Sequence, residues 1–211
     1  MRKPEFATYL VKKNNKTLLN TTLELNWSRK LSPIRSHEYL FARSHARYLL
    51  SLIHNISPLD IPFFSPPGNP PELKDDLGFI SISHCSDVCL IGWSRYPIGV
   101  DIERKNRRFR ADKIIKYYSD SEKLFLCKYK SKEFDEKVLE HWVIKEAAFK
   151  LIGGNLIKEL KRLTINSENK TMSIKKNTFK NFSIINIKEW KIALTFENKL
   201  KEINPIICFE N

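Results

Sequence analysis

His141-Trp142-Val143-Ile144-Lys145-Glu146-Ala147-Ala148-Phe149-Lys150 falls in a stretch, Asp135 to Ile152, that reads as one long helix. The helix is expected to stop at Gly153-Gly154, because glycine adopts the left-handed conformation of a helix C-terminus at little cost. Glu146 and Lys150 are four residues apart and share a face. Trp142 and Phe149 read as core. Upstream, Gly99-Val100-Asp101-Ile102-Glu103 reads as a strand. Alternate strand side chains share a face, so Asp101 and Glu103 point the same way and Ile102 turns inward. Paired like charges repel unless a cation sits between them. Taken singly, each motif has an ordinary reading: a solvated strand face, or a surface ion pair stabilising its helix by about 0.2–0.5 kcal/mol. Together they offer three carboxylates and two lysines on two short regular elements. Three carboxylates suit a hard divalent cation. Two lysines beside them suit a phosphate that the cation also touches. Such a set can break a phosphoanhydride in a nucleotide-like molecule.

The elements around these motifs follow from periodicity. Thr17 to Trp27 alternates as a strand, with Leu23, Leu25 and Trp27 on one face. Tyr39, Ala42, Ala46, Leu49, Leu50 and Ile53 recur at three- and four-residue steps, so a helix spans Ser36 to His54. On it, Arg43 and Arg47 lie one turn apart on a shared face. Residues 58–71 hold six of the ten prolines and read as a loop. Phe79 to Ser83, Val88 to Ser94 and Ile98 to Ile102 read as three strands of an antiparallel meander, with tight connections at Ser86-Asp87 and Arg95-Tyr96-Pro97. Basic residues crowd Arg104 to Arg110. Ala111 to Tyr118 reads as a helix. The next helix is capped by Ser119, with Glu122 at capping-box spacing. Strands are expected at Leu163 to Ile165, Met172 to Lys175, Phe182 to Ile187 and Lys191 to Phe196, with a last one at Ile206 to Phe209. A boundary near residue 97 divides the chain.

The 211 residues carry 37 Lys and Arg against 24 Asp and Glu, a formal charge of +13. That surface attracts polyanions: nucleic acid, anionic membrane, a phosphorylated cofactor or an acidic protein. The lysines are scattered rather than blocked, which argues against a nucleic-acid tail. A chain 42% apolar and 11% aromatic buries a core. No apolar run reaches the length of a spanning helix. Met1 to Lys16 lacks the apolar core of a secretory signal. Cys85, Cys89, Cys127 and Cys208 form no CxxC pair, and only His84 stands near Cys85 and Cys89 as a further ligand. Free, buried thiols in a reducing cytoplasm fit better than a four-ligand zinc site.

A third element completes the pattern. Ile80-Ser81-Ile82-Ser83-His84 ends a strand with a hydroxyl and an imidazole at a turn, suited to a phosphate oxygen. In order, Ser83-His84, then Ile98-Gly99-Val100-Asp101-Ile102-Glu103, then Trp142-x-x-Lys145-Glu146-Ala147-x-x-Lys150 resembles the 4′-phosphopantetheinyl transferases. The length is similar to the larger, Sfp-like branch, and the likeness runs from Tyr39 to Leu163. The resemblance implies an α+β pseudo-dimer of two similar halves, residues 1–97 and 98–211, with the active site in the cleft between them. It implies a cytoplasmic enzyme that moves phosphopantetheine from coenzyme A to a serine of an apo acyl or peptidyl carrier protein and releases adenosine 3′,5′-bisphosphate. By position, Asp101, Glu103 and Glu146 would hold Mg²⁺, or Mn²⁺, which an all-oxygen site also accepts. Glu146 or a water on it would take the serine proton. Lys150 would contact the phosphates, assisted by Lys145. Ser83 and His84 would meet phosphates at the adenosine end. Arg43 would grip the 3′-phosphate, for which its fork is suited. A monomer is implied, since one chain holds both halves, with no nucleic acid or membrane as partner.

Two departures stand out. The family's Gly-Lys-Pro has no lysine here, where Gly68-Asn69-Pro70-Pro71-Glu72-Leu73 runs instead; Lys74 is the neighbouring lysine that could replace it. The family's Gly-x-Gly-Leu turn is matched only approximately by Gly153-Gly154-Asn155-Leu156. Two rival readings remain. Glu103-Arg104-Lys105, with Asp87 upstream, fits a Mg²⁺-dependent nuclease and makes Lys105 essential, but leaves Trp142 to Lys150 unexplained. A non-catalytic binder of polyanions would explain the charge, yet all three carboxylates are retained.

Overall fold

The computed structural model describes residues 5–13, 19–107, 110–153, 160–174 and 178–197. Between Pro97 and Ile98 the chain passes from one unit to a second. The readings at Gly154-Asn155-Leu156, at Lys175 and at Ile206 to Phe209, with Cys208, lie outside the described residues.

The first unit is built on one helix. Its strands are β1 (Phe6–Lys12), β4 (Phe79–Cys85) and β5 (Val88–Ser94), in the antiparallel order β1-β5-β4. Helix α2 (Pro33–His54) starts with proline at its first turn, where a missing N–H leaves nothing unsatisfied. It ends at Asn55, left-handed at φ 56°. Its apolar stripe of Phe41, Ala42, Ala46, Leu49 and Leu50 packs with Tyr9, Val11, Ile91 and Trp93 from the sheet. The proline-rich loop holds two short paired strands, β2 (Phe63–Phe64) and β3 (Glu72–Leu73).

Arg47, buried on α2, ties that loop down. Its guanidinium donates to the carbonyls of Pro58 at 3.1 Å, Ile61 at 2.9 Å and Phe63 at 3.1 Å. Its Nε donates to Glu24 Oε1 at 3.0 Å. Glu24 belongs to helix α1 (Thr22–Ser28), where a strand is expected from the sequence. Thr21 and Glu24 form a reciprocal capping box, and α1 buries Glu24 and Ser28 while Leu23 and Leu25 stay exposed. The apolar alternation of Leu23, Leu25 and Trp27 therefore does not mark a buried strand face; the buried partner of this segment is a charge. The expected three-strand meander also breaks. β4 and β5 form the hairpin, but β5's other neighbour is β1. β6 (Ile98–Arg104) belongs to the second unit's sheet.

That second sheet has five antiparallel strands in the order β6-β10-β9-β8-β7, with β7 (Leu163–Asn166), β8 (Thr171–Ile174), β9 (Thr178–Ile187) and β10 (Trp190–Phe196). Three helices precede β7: α3 (Ala111–Ile114), extended by a 3₁₀ turn at Ile115–Tyr117, α4 (Asp120–Leu126) and α5 (Ser131–Ile152). Ser119 and Glu122 cap α4 reciprocally. Val143, Ile144, Ala147 and Ala148 of α5 join Leu163, Ile165, Met172, Phe182 and Ala193 in the core. The architecture is α+β, each unit carrying one 22-residue helix and an antiparallel sheet. No helix among the described residues is long and apolar enough to cross a membrane.

Candidate active site

Gly99 decides how closely the two motif-bearing elements approach. A Cβ there would meet the Ala147 carbonyl, with Thr195 Oγ1 at 2.7 Å and Leu151 N at 2.8 Å. Only a residue without a side chain lets β6 lie this near α5. Strand alternation then puts Asp101 and Glu103 on the same face as Gly99, toward the helix. Lys150 of α5 donates to Asp101 Oδ1 at 2.7 Å. Asp101 is buried and Glu103 half-buried. Glu103 pairs with Arg107 in the turn after β6.

Glu146 stands one helical turn before Lys150. Burial first, then the negative charges of Asp101 and Glu103, push its carboxyl up to about 7, against the pull of Lys150 and Arg107. Three carboxylates thus share one field, balanced by two cationic side chains. Among the described residues no three His, Cys, Asp or Glu side chains are placed as they stand to hold a metal ion. Lys150 and Arg107 supply positive charge to Asp101 and Glu103 directly. The donor chemistry still fits a hard divalent cation: all oxygen, and mutually repelling until a cation is present.

Lys145 points elsewhere. It is buried, and its ammonium donates to Glu122 Oε2 at 2.9 Å, to Leu160 O at 2.8 Å and to Leu163 O. Burial pulls the ammonium below its usual value, opposed by Glu122. Burial pushes the Glu122 carboxyl up, but His141, Lys145 and the Ser119 amide outweigh it and leave it below the ordinary range. His141 Nδ1 lies 3.6 Å from Glu122 Oε1, and its ring stacks near Tyr118 and Phe125. The second lysine expected beside the phosphate is therefore inside the protein, on a helix face of its own.

In the first unit, Arg43 Nη2 donates to Ser65 Oγ at 2.9 Å, and its guanidinium lies 4.3 Å over the Tyr39 ring. The Tyr39 hydroxyl donates to Ser65 O at 2.8 Å. Burial, ahead of the neighbouring charges, raises the Tyr39 hydroxyl to about 12. Tyr39 and Ser65, bonded to each other, both hold Arg43. The sequence offers no signal for Ser65, which only the folded loop brings to the helix. Ser83 and His84 do not sit together at a turn. β4 continues to Cys85, with Ser83 buried on one face and His84 exposed on the other. Partial burial pushes Glu38 on α2 up, but Lys13, His84 and Arg35 together draw it below its usual value. Lys74 is exposed, at the end of β3. Lys105 donates from Nζ to Lys188 O at 2.9 Å rather than to a carboxylate.

Known proteins extend these observations. A family model described as the 4′-phosphopantetheinyl transferase superfamily matches residues 97–202, half of the chain. The protein belongs to the 4′-phosphopantetheinyl transferase superfamily, and its class of activity is phosphopantetheinyl transfer. Among solved structures, a holo-(acyl-carrier-protein) synthase from Bacillus anthracis str. Ames, in complex with CoA (3′,5′-ADP), is similar at 23% identity. The likeness covers 47% of this chain and 93% of that chain at a TM-score of 0.40. No curated protein matches the chain.

Proposed function

We propose that this protein transfers the 4′-phosphopantetheine of coenzyme A to a serine of an apo carrier protein and releases adenosine 3′,5′-bisphosphate. The serine oxygen bonds to the β-phosphorus of the coenzyme's pyrophosphate. The bond from that phosphorus to the bridging oxygen breaks, and the electron pair leaves with the adenosine bisphosphate. The observation that carries this reading is the joint field of Asp101, Glu103 and Glu146, with Lys150 one turn beyond Glu146 and bonded to Asp101.

Glu146, one turn from Lys150 and in the field of Asp101 and Glu103, accepts the serine proton, directly or through a water that it holds. Asp101, Glu103 and Glu146 would hold Mg²⁺ or Mn²⁺, which supplies Lewis-acid neutralisation of charge on the leaving phosphate. Lys150 turns from Asp101 to the pyrophosphate when the substrate brings its own negative charge. Arg43, held by Tyr39 and Ser65, binds the 3′-phosphate, and the exposed His84 serves the adenosine end, while Ser83, buried on the other face of β4, has no place there. Lys145 has no place at the phosphate in this scheme. The enzyme acts as a monomer.

Intact-mass spectrometry of an apo acyl carrier protein, incubated with this protein, coenzyme A and Mg²⁺, tests the reading. A gain of one phosphopantetheine, abolished by EDTA, is the expected outcome. No gain on fatty-acid, polyketide and peptidyl carriers alike, with coenzyme A left unbound, would reject it. A nuclease would instead degrade DNA and depend on Lys105.

A further inference from the structure

The buried charges of the second unit perform no step above, yet they lie next to the residues that do. Lys145 precedes Glu146 in α5, and His141 precedes Lys145 by one turn. Successive helix residues are turned by about 100°, so His141 and Lys145 form one stripe while Glu146 and Lys150 form the adjacent one. The first stripe is tied to Glu122 of α4. Lys145 meets Glu122 and two carbonyls, so each of its three N–H donors has an acceptor. Glu122 also accepts from Ser119 N at 2.9 Å and from Ile165 N at 3.3 Å.

Such a cluster is a weak choice for stability alone, because buried ion pairs are often replaced by apolar residues without loss. A directed set of bonds does something an apolar contact does not: it fixes how far the helix is rolled about its axis and how far it is slid along it. A helix packed only through Val143, Ile144, Ala147 and Ala148 could roll by small steps at little cost. A roll of α5 would carry Glu146 and Lys150 away from Asp101 and Glu103.

We propose that Glu122 and Lys145 are positioning residues, which set the roll and register of α5 so that Glu146 and Lys150 face the acidic side of β6. The proposal rests on the reading of that acidic cluster as the catalytic centre. It gives Lys145 a role in the reaction without contact to substrate.

The test uses the full chain with Glu122→Gln/Lys145→Met, which removes both charges. Glutamine keeps the capping box of α4. Three quantities are read per folded molecule: Mn²⁺ affinity by paramagnetic resonance without coenzyme A or carrier, kcat, and KM for coenzyme A. Displacing a reacting group by about 1 Å lowers rates roughly a hundredfold. A fall of that order in kcat, a weaker Mn²⁺ affinity and a largely unchanged KM are expected. Wild-type kcat and Mn²⁺ affinity in the folded double variant overturn the proposal. So does a smaller yield of folded protein whose kcat and Mn²⁺ affinity per folded molecule are those of the wild type, which is what a purely structural role produces. Where the double variant does not fold, Glu122→Gln alone is read the same way: lowered kcat and Mn²⁺ affinity support positioning, and unchanged values overturn it. If the wild-type chain neither binds Mn²⁺ nor transfers phosphopantetheine, the reading of the site itself fails, a result distinct from a failure of positioning.

Discussion

In the proposed reaction Gly99 matters through what it lacks and Glu146 through what it bears. At Gly99 the nearest groups to an added Cβ are mostly backbone, the Ala147 carbonyl and the Leu151 amide. Backbone does not rotate away, so Gly99→Ala must part β6 from α5. Overpacking of this kind costs about 1–3 kcal/mol, and the separation also breaks the Lys150–Asp101 bond. Urea unfolding should show the loss, and transfer should fall further than stability explains; an alanine variant with full activity would detach the glycine from the site. Glu146→Gln works in the opposite sense. The amide removes a charge that burial and Asp101 both disfavour, so the variant should unfold in EDTA at or above the wild-type temperature. Removal of a general base should lower transfer roughly 10²- to 10⁴-fold, read as the initial rate of carrier mass gain. A destabilised Glu146→Gln, or one with full activity, would remove Glu146 from this role.

Helices with an apolar stripe can be read from sequence, and α2 and α5 are of that kind. Helix α1 is not: its buried face is Glu24 and Ser28, and its leucines are outside. Periodicity reports burial only when the buried residues are apolar, so the segment looks like a strand. The capping spacing of Thr21 and Glu24 is the signal that could have corrected it, as Ser119 and Glu122 correctly mark α4. Glu24 is also what joins α1 to α2, because the same carboxylate caps one helix and pairs with Arg47 of the other. Arg47→Met leaves Glu24 buried beside three carbonyls that lose their donor. Breaking one side of a buried pair typically costs about 3–5 kcal/mol. Chemical denaturation should show a loss of that size, and amide exchange should rise in residues 58–63, whose carbonyls Arg47 holds. A loss below about 1 kcal/mol, the range of exposed pairs, would mean that the loop does not depend on this arginine.

Across the whole molecule, strand existence is legible but strand partnership is not. β5 and β6 are neighbours in sequence and sit in different sheets; β1 pairs with β5 although more than half of the first unit lies between them. Local patterns hold no record of such pairings, which long-range packing selects. The acidic face of β6 and the Glu146–Lys150 stripe were legible because each depends only on local period; the inward turn of Lys145 was not, because Glu122 and the Leu160 and Leu163 carbonyls come from elsewhere in the chain. Charge, in contrast, is a whole-chain property that composition states outright, and +13 has a kinetic consequence. Coenzyme A is polyanionic and carrier proteins are typically acidic, so under the proposed function this basic protein would draw both by long-range attraction. Salt shortens the reach of that attraction, from a Debye length of about 10 Å at 0.1 M to about 3 Å at 1 M. With an acidic carrier, kcat/KM should therefore fall at least about tenfold across that range, the lower end of steering effects. Single-turnover chemistry on the bound complex should change little, since contacts already formed are screened less. The comparison must use one carrier and hold Mg²⁺ constant, so that only encounter varies. A kcat/KM that ignores salt would show that the lysines do not steer the carrier, and that the basic composition serves something other than this reaction.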